Sequence, residues 1–481
     1  MLEIEQPEYR PEDLSVGIVH FGVGNFHRSH QAMYLDRLFS RGVATDWAIC
    51  GIGLLPGDAR MRDVLRGQHM RYTLVERHPD GTAPARSIAS IVDFLHAPDD
   101  PEAVFERLAD PRTRIVSLTI TEGGYNISDA TGRFSATTPA VQSDLQPGTV
   151  PSTVFGVVVE GLRRRRERGV PPFTVMSCDN LPGNGIVARE SFTAFATLLD
   201  PDLGSWIREH VPFPNSMVDR ITPVTTDADR ADVADTYGVV DGWPVLSEDF
   251  VQWVLEDRFS IGRPPLEQVG VQLVPDVVPY EHMKLRLLNA GHQVIAYFGS
   301  LLGHRFVHEA LADPAIVSLL TRFMKEEAEP TLAPVPGIDL DEYERTLVQR
   351  FSNPYVRDTL QRLGTDGSDR IPKFLLPTVV DRSAAGLASP LSAAVVASWA
   401  VFARGVDTDG APIDVVDRQR SLVDEAVGRQ EQDPAGFLTV AELVGGVSQD
   451  DAFARSFASA YRSILDHGPR AALEQLLGAE R

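Results

Sequence analysis

Lys284, Asn289 and His292 stand in a stretch that is otherwise largely apolar, Met283-Lys-Leu-Arg-Leu-Leu-Asn-Ala-Gly-His292. On an α-helix, at about 100° per residue, Asn289 lies about 140° and His292 about 80° from Lys284, so the three share one sector. An amine, an amide and an imidazole converging in an apolar setting cost free energy unless they bind something. Together they suit the oxidation of an alcohol. A partly desolvated lysine gives up its proton more readily and can then take the hydroxyl proton as hydride leaves. Asparagine N–H groups can hold the developing alkoxide, and an imidazole can bond a second hydroxyl. A buried polar network that merely joins two domains is the structural alternative, and these residues alone do not separate the two.

A second candidate lies near the N-terminus. The apolar run 16–21 leads into Gly22, Val23, Gly24, Asn25, Phe26, His27 and Arg28, and a helical pattern comes next. Glycines there allow a tight turn and let backbone N–H groups approach a dinucleotide pyrophosphate at a helix N-terminus. His27 occupies the place of the third glycine in the usual fingerprint, and an ordinary glycine turn is the alternative. A ribose-binding acid is expected after the second strand, and Asp58 stands there. Its carboxylate would accept from the 2′-hydroxyl and repel a 2′-phosphate, which favours NAD, although Arg60 and Arg62 are close enough to weaken the preference.

Polar residues also end two further strands, at 119–124 and at 177–180, the latter including Asn180. They bind ligand at such positions or cap the next helix. Asp219 beside Arg220 reads by itself as a structural ion pair. The arginines at 163–166 read as the solvated C-terminal end of a helix rather than a nucleic-acid patch. Zinc, serine-hydrolase and Walker motifs are absent, so no metal is expected.

The elements that must carry these residues emerge from periodicity. Runs at 16–21, 47–52, 115–120 and 173–177 read as buried strands, and 30–40, 101–108 and 153–168 as helices between them. That alternation gives an α/β, Rossmann-type doubly wound parallel sheet. From about residue 280 helical patterns dominate: 281–302, 314–324, 340–351, 356–363, 390–403, 418–430 and 450–465, with 330–339 a Pro-rich loop. The expected organisation is therefore 1–279 as the dinucleotide-binding domain and 280–481 as a mainly helical substrate domain.

Composition bounds the rest. The chain has 481 residues, net charge −22 and two cysteines. The acidic balance argues against nucleic acid or an anionic membrane as partner, and no apolar run is long enough for a membrane span. Two thiols give no disulfide framework, and residues 1–13 lack the pattern of a signal peptide, so a cytoplasmic location is the default expectation.

Residues 18–28, 117–125, 174–182, 250–257, 284–292 and 332–339 together resemble the mannitol dehydrogenase family of polyol-specific long-chain dehydrogenases, over nearly the whole chain. The resemblance implies reversible, metal-independent oxidation of D-mannitol to D-fructose with NAD, on a small polyol or ketose and as a monomer. It implies Lys284 as general base, Asn180 and Asn289 as oxyanion hole, and His292, Arg362 and Arg370 as substrate contacts. Asp219 would sit beside the nicotinamide and the lysine, and Glu281 would gate proton exchange. His27 is a family trait, whereas the family has lysine where Arg370 stands, which changes donor geometry. A hexuronate oxidoreductase acting on mannonate or fructuronate, with Arg362 and Arg370 on the carboxylate, and a D-arabinitol or D-sorbitol dehydrogenase are the related alternatives. A dinucleotide sensor without turnover and a zinc alcohol dehydrogenase are the alternatives from other classes.

Overall fold

Five short apolar runs hydrogen-bond side by side in a computed structural model that describes residues 2–128, 131–407 and 410–478. They are β1 (Val16–Phe21), β2 (Ala48–Gly53), β3 (Ile91–His96), β4 (Ile115–Leu118) and β5 (Thr174–Ser177), and all neighbours are parallel. Their order is β3-β2-β1-β4-β5. Alternate residues serve two cores. Ile18, Ile49, Ile115 and Met176 enter one, and Val19, Cys50, Val116 and Val175 the other. Both faces are covered, which is why these strands read as continuous apolar runs rather than alternating ones. The strand order is that of the Rossmann fold, with its switch point between β1 and β4, where ligands bind at the carboxyl ends.

Two of the helices between the strands start on side-chain caps. Asp100 accepts from Ala103 N ahead of Pro101–Ala109, and Thr153 accepts from Gly156 N ahead of Val154–Glu167. Within the second, Arg165 is buried and donates to the carbonyls of Leu108, Asp110, Thr113 and Pro171. Arg163 and Arg164 pair with Glu160, and Arg164 also with Glu102 and Glu106. The expected solvated arginine end is thus a packed and paired one, because a guanidinium satisfies several orphan carbonyls at once.

Strands that periodicity does not reveal complete this part of the chain. β3 is one. A four-stranded sheet runs Ile4–Glu5, Ala85–Ile88, Tyr72–Arg77, Val245–Glu248, and a three-stranded one runs Gln272–Val274, Gln252–Glu256, Ser216–Asp219.

The chain divides into two compact units, Met1–Val278 and Pro279–Arg481. The second is helical in its described residues apart from isolated bridges. Leu340–Phe351 and Pro390–Phe402 fall where the periodicity puts them. The helix expected at 356–363 shrinks to Leu360–Gly364, opened by Thr359, whose hydroxyl accepts from Arg362 N. The last helix continues to Gly478 past a break at Gly468-Pro469, where Gly468 has φ +83°. Among the described residues three stretches are π-helical: Lys284–Asn289, Phe323–Ala328 and Ile371–Leu375.

Candidate active site

The glycine loop sits at the switch point of the first unit. Gly22 has φ +89°, and a Cβ there would overlap the Thr119 carbonyl, so only glycine can take β1 past the end of β4. Gly24 is exposed, and a Cβ there would meet only Gly22 O, at 3.8 Å. Val23 and His27 are buried instead. The Asn25 side chain is committed to the protein: its Nδ2 donates to Pro223 O and Thr225 Oγ1, and its Oδ1 accepts from Arg28. Phe26 stacks on His30. What Asn25 and Phe26 can offer an anion is therefore backbone.

Asp58 stands at the carboxyl end of β2. Its Oδ2 accepts from the N–H groups of Leu54 and Leu55, both at 2.9 Å. Its Oδ1 has no protein partner among the described residues. Arg62 is spent on Asp63 and Asp99, and Arg60 lies over the Trp243 ring. Of the two arginines that could weaken the NAD preference, only Arg62 is ion-paired. An inward-packed glycine turn, an exposed Gly24 and a half-used carboxylate after β2 fit a dinucleotide.

The end of β5 is braced by Asp179, one of the polar strand-end residues 177–180. Asp179 accepts from Ile120 N, Thr121 N and Tyr125 Oη, tying the loops after β4 and β5 together. This holds Thr121 at φ +64°. Burial outweighs these donors and pushes the Asp179 carboxyl up to about 6. Asn180 is next in the chain, exposed. Asn184 and Ser216 stitch the neighbouring strand Ser216–Asp219 to the same end: Asn184 Nδ2 donates to Asp179 O and Ser216 O, and Ser216 Oγ to Ser177 O. Asp219 ends that strand, buried. Arg220 pairs with Glu76 and with backbone carbonyls rather than with Asp219, because the two side chains leave opposite faces of the chain. The ion pair expected between Asp219 and its neighbour Arg220 is therefore not formed.

In the second unit Lys284 and Asn289 are 7% and 6% exposed. They are the first and last residues of one π-helical turn. The 140° separation drawn on an α-helix is thereby corrected, since an i→i+5 turn brings residues five apart onto one face. His292 lies on the continuing α-helix Ala290–Leu301 and packs on Phe351. Its imidazole is held well below the usual range by burial first, then by the charges of Arg362, Arg350, Arg370 and Lys284. Two atoms of this cluster, Asn289 Oδ1 and His292 Nε2, are buried with no hydrogen-bond partner. Buried polar atoms of this kind are costly and point to a ligand that satisfies them. Glu281 is buried on the same helix, one turn before Lys284.

The two arginines reach this cluster differently. Arg362, an exposed residue, is gripped by both oxygens of Asp358, which hold its guanidinium above the usual range. Arg370 Nη1 donates to the carbonyls of Arg362 and Leu363 and stands at the start of the π-helical stretch Ile371–Leu375. Arg350, buried near His292, was not among the sequence candidates. Helical periodicity gives it no mark distinct from a surface arginine.

Among the described residues one group of three carboxylates could hold a metal: Glu329, Asp341 and Glu344. The Lys325 ammonium bridges Glu329 and Asp341 at 2.7 and 2.6 Å and already supplies a cation there.

The fold and these clusters define a two-unit α/β protein of the Rossmann class with a helical partner unit. The sequence patterns of the mannitol dehydrogenase Rossmann domain and the mannitol dehydrogenase C-terminal domain match residues 16–268 and 276–465. A mannitol 2-dehydrogenase of Cereibacter sphaeroides is 44% identical over 99% of both chains. The Pseudomonas fluorescens mannitol 2-dehydrogenase, solved with NAD and D-mannitol, superposes with a TM-score of 0.90 at 46% identity, covering 99% of this chain and 97% of that one. A D-sorbitol dehydrogenase solved substrate-free gives 0.91 at 38%, over 98% of each. The chain belongs to the mannitol dehydrogenase family.

Proposed function

We propose that the chain is an NAD-dependent mannitol 2-dehydrogenase that interconverts D-mannitol and D-fructose. The observation that carries this is the π-helical turn bearing buried Lys284 and Asn289, next to His292, with two buried polar atoms awaiting a partner. The relative solved with NAD and D-mannitol, at 46% identity, supports the cofactor and the substrate class.

The roles follow from the side chains. Bound NAD supplies the hydride acceptor. Lys284, as the neutral amine, takes the proton of the hydroxyl being oxidised, and as the ammonium returns it in ketose reduction. Asn180 and Asn289 donate N–H to the developing alkoxide. His292 offers Nε2 to a neighbouring hydroxyl, and Arg362 and Arg370 contact hydroxyls further along the chain. Asp219 orients the lysine, and Glu281 passes the proton toward water. Gly22–His27 hold the pyrophosphate through backbone, and the open Asp58 Oδ1 takes the ribose hydroxyls, which selects NAD over NADP. No protein metal takes part, and one chain suffices.

The test is NADH formation on mannitol, sorbitol, arabinitol and mannonate with NAD and NADP. Mannitol with NAD is expected to give the highest kcat/KM. Turnover of mannonate alone would replace this reading with the hexuronate one. Sorbitol is the second reading with an observation behind it, the 38% identical D-sorbitol dehydrogenase; a preference for sorbitol above about tenfold in kcat/KM would favour it.

A further inference from the structure

Beneath the glycine loop lies a line of polar groups that the reaction does not use. His20, on β1, is fully buried. Its Nε2 is 3.3 Å from Gly22 O and 3.0 Å from Thr119 Oγ1, and its Nδ1 is 2.8 Å from Ser117 Oγ. Ser117 Oγ is in turn 2.9 Å from the Gln31 amide oxygen. The His27 ring stacks on His20 at 3.4 Å and contributes no hydrogen bond. Burial keeps His20 uncharged, well below the usual imidazole range.

The hydrogen atoms give this line a direction. Nε2 faces two oxygens, Gly22 O, which cannot donate, and Thr119 Oγ1, whose one hydrogen goes to Gly22 O, so Nε2 carries the proton. A neutral ring then leaves Nδ1 bare, and Ser117 gives it its only hydrogen. Ser117 has none left for Gln31, so Gln31 must turn its amide N–H toward Ser117. That orientation gives the Gln31 amide nitrogen, otherwise buried without a partner, a hydrogen bond, and moves the amide oxygen into the position it leaves. Gly22 O further accepts from Thr119 Oγ1 at 2.7 Å and Gly24 N at 2.7 Å.

We propose that Gln31, Ser117 and His20 form a one-way donor chain, and that His20, fixed as its Nε2–H tautomer, is a positioning residue for the dinucleotide loop. Its work is to hold the Gly22 carbonyl on the protein side. A carbonyl turned outward would place a negative dipole end against the pyrophosphate, whereas a carbonyl pinned inward leaves the neighbouring N–H groups to the anion. This rests on the glycine loop binding a dinucleotide.

Gln31 tests the direction from a distance. In Gln31→Glu the side chain, ionised, can only accept: Ser117 then donates to it, His20 moves its proton to Nδ1, and a bare Nε2 faces Gly22 O. Gln31→Met leaves Ser117 free to donate to His20. By fluorescence titration, Gln31→Glu is expected to weaken NADH binding by about tenfold or more, and Gln31→Met to stay within about threefold of the parent chain. At saturating NAD and mannitol, kcat is expected to change less than the KM for NAD. Nitrogen-15 NMR of histidine-labelled parent protein, with the His20 signal identified by its loss in His20→Asn, is expected to show the Nε2–H tautomer. An Nδ1–H tautomer, or Gln31→Met as weak as Gln31→Glu, or unchanged binding in folded Gln31→Glu, would overturn the proposal. Should Gln31→Glu fail to fold, Ser117→Ala, which removes the donor to Nδ1, carries the titration, and unchanged affinity there overturns it. An unaltered parent chain that binds no NADH would instead remove the dinucleotide reading itself.

Discussion

Lys284 was legible as a chemical group because an amine among leucines demands a reason, and the same holds for Asn289 and His292. Lys284→Ala is expected to lower kcat by at least about a thousandfold with NADH affinity retained, since the general base contributes about 10²–10⁴; a loss under tenfold would assign the proton to another group. Asn289→Ala is expected to lower kcat by about 10²–10³, as for one lost oxyanion donor, and a rise in KM alone would contradict that role. Asp179 was legible only as one of the polar residues 177–180 that bind ligand or cap a helix, and only the fold reveals its three donors from the loop after β4. Asp179→Asn sets an amide N–H against one of them and is expected to cost about 1–3 kcal/mol in urea unfolding. The pH dependence has a definite sign. The folded carboxyl is raised from the ordinary 3.8 to about 6, so the folded state holds its proton longer than the unfolded one. The stability this group contributes is complete below pH 4 and declines as pH rises through 6. The advantage of the parent chain over Asp179→Asn should shrink across that window, and an advantage that grows would reverse the assignment.

Elements were legible where one period ran unbroken. β1 matches its apolar run residue for residue, and Leu340–Phe351 its helical stripe. β3 escaped because Asp93 interrupts its apolar run, its charge answered by Arg107. The pair Tyr72–Arg77 and Ala85–Ile88 escaped although Asp80-Gly81 marks the turn between them, Gly81 taking φ +85°. The π-helical turn is invisible to periodicity for a different reason: one residue added to a helix shifts the phase of every later turn without altering composition. Its function can be measured. Deleting Leu287 would let residues 284–289 revert to an α-helix and rotate Lys284 by about 100° against His292. Retained helicity by circular dichroism with kcat lowered by more than about a hundredfold is expected; near-normal turnover would show that the turn is incidental.

At the scale of the molecule the sequence announced a change from strand-helix alternation to helices alone, and the two units show the same contrast. No described helix is long and apolar enough to cross a membrane. Since Lys325 already fills the one three-carboxylate group found among the described residues, exhaustive dialysis against a strong chelator is expected to leave mannitol oxidation unchanged. A loss that added divalent metal restores would overturn the metal-independent reading. Cys50 and Cys178 are buried on opposite sides of the five-stranded sheet, with thiols that burial holds far from ionisation. Both belong to the first unit, and the sequence has no others. Alkylating reagents therefore have nothing to attack until that unit opens. The rate of thiol labelling is a clock for breathing of the nucleotide half alone, blind to the helical half, and ligands that quiet that breathing should slow it.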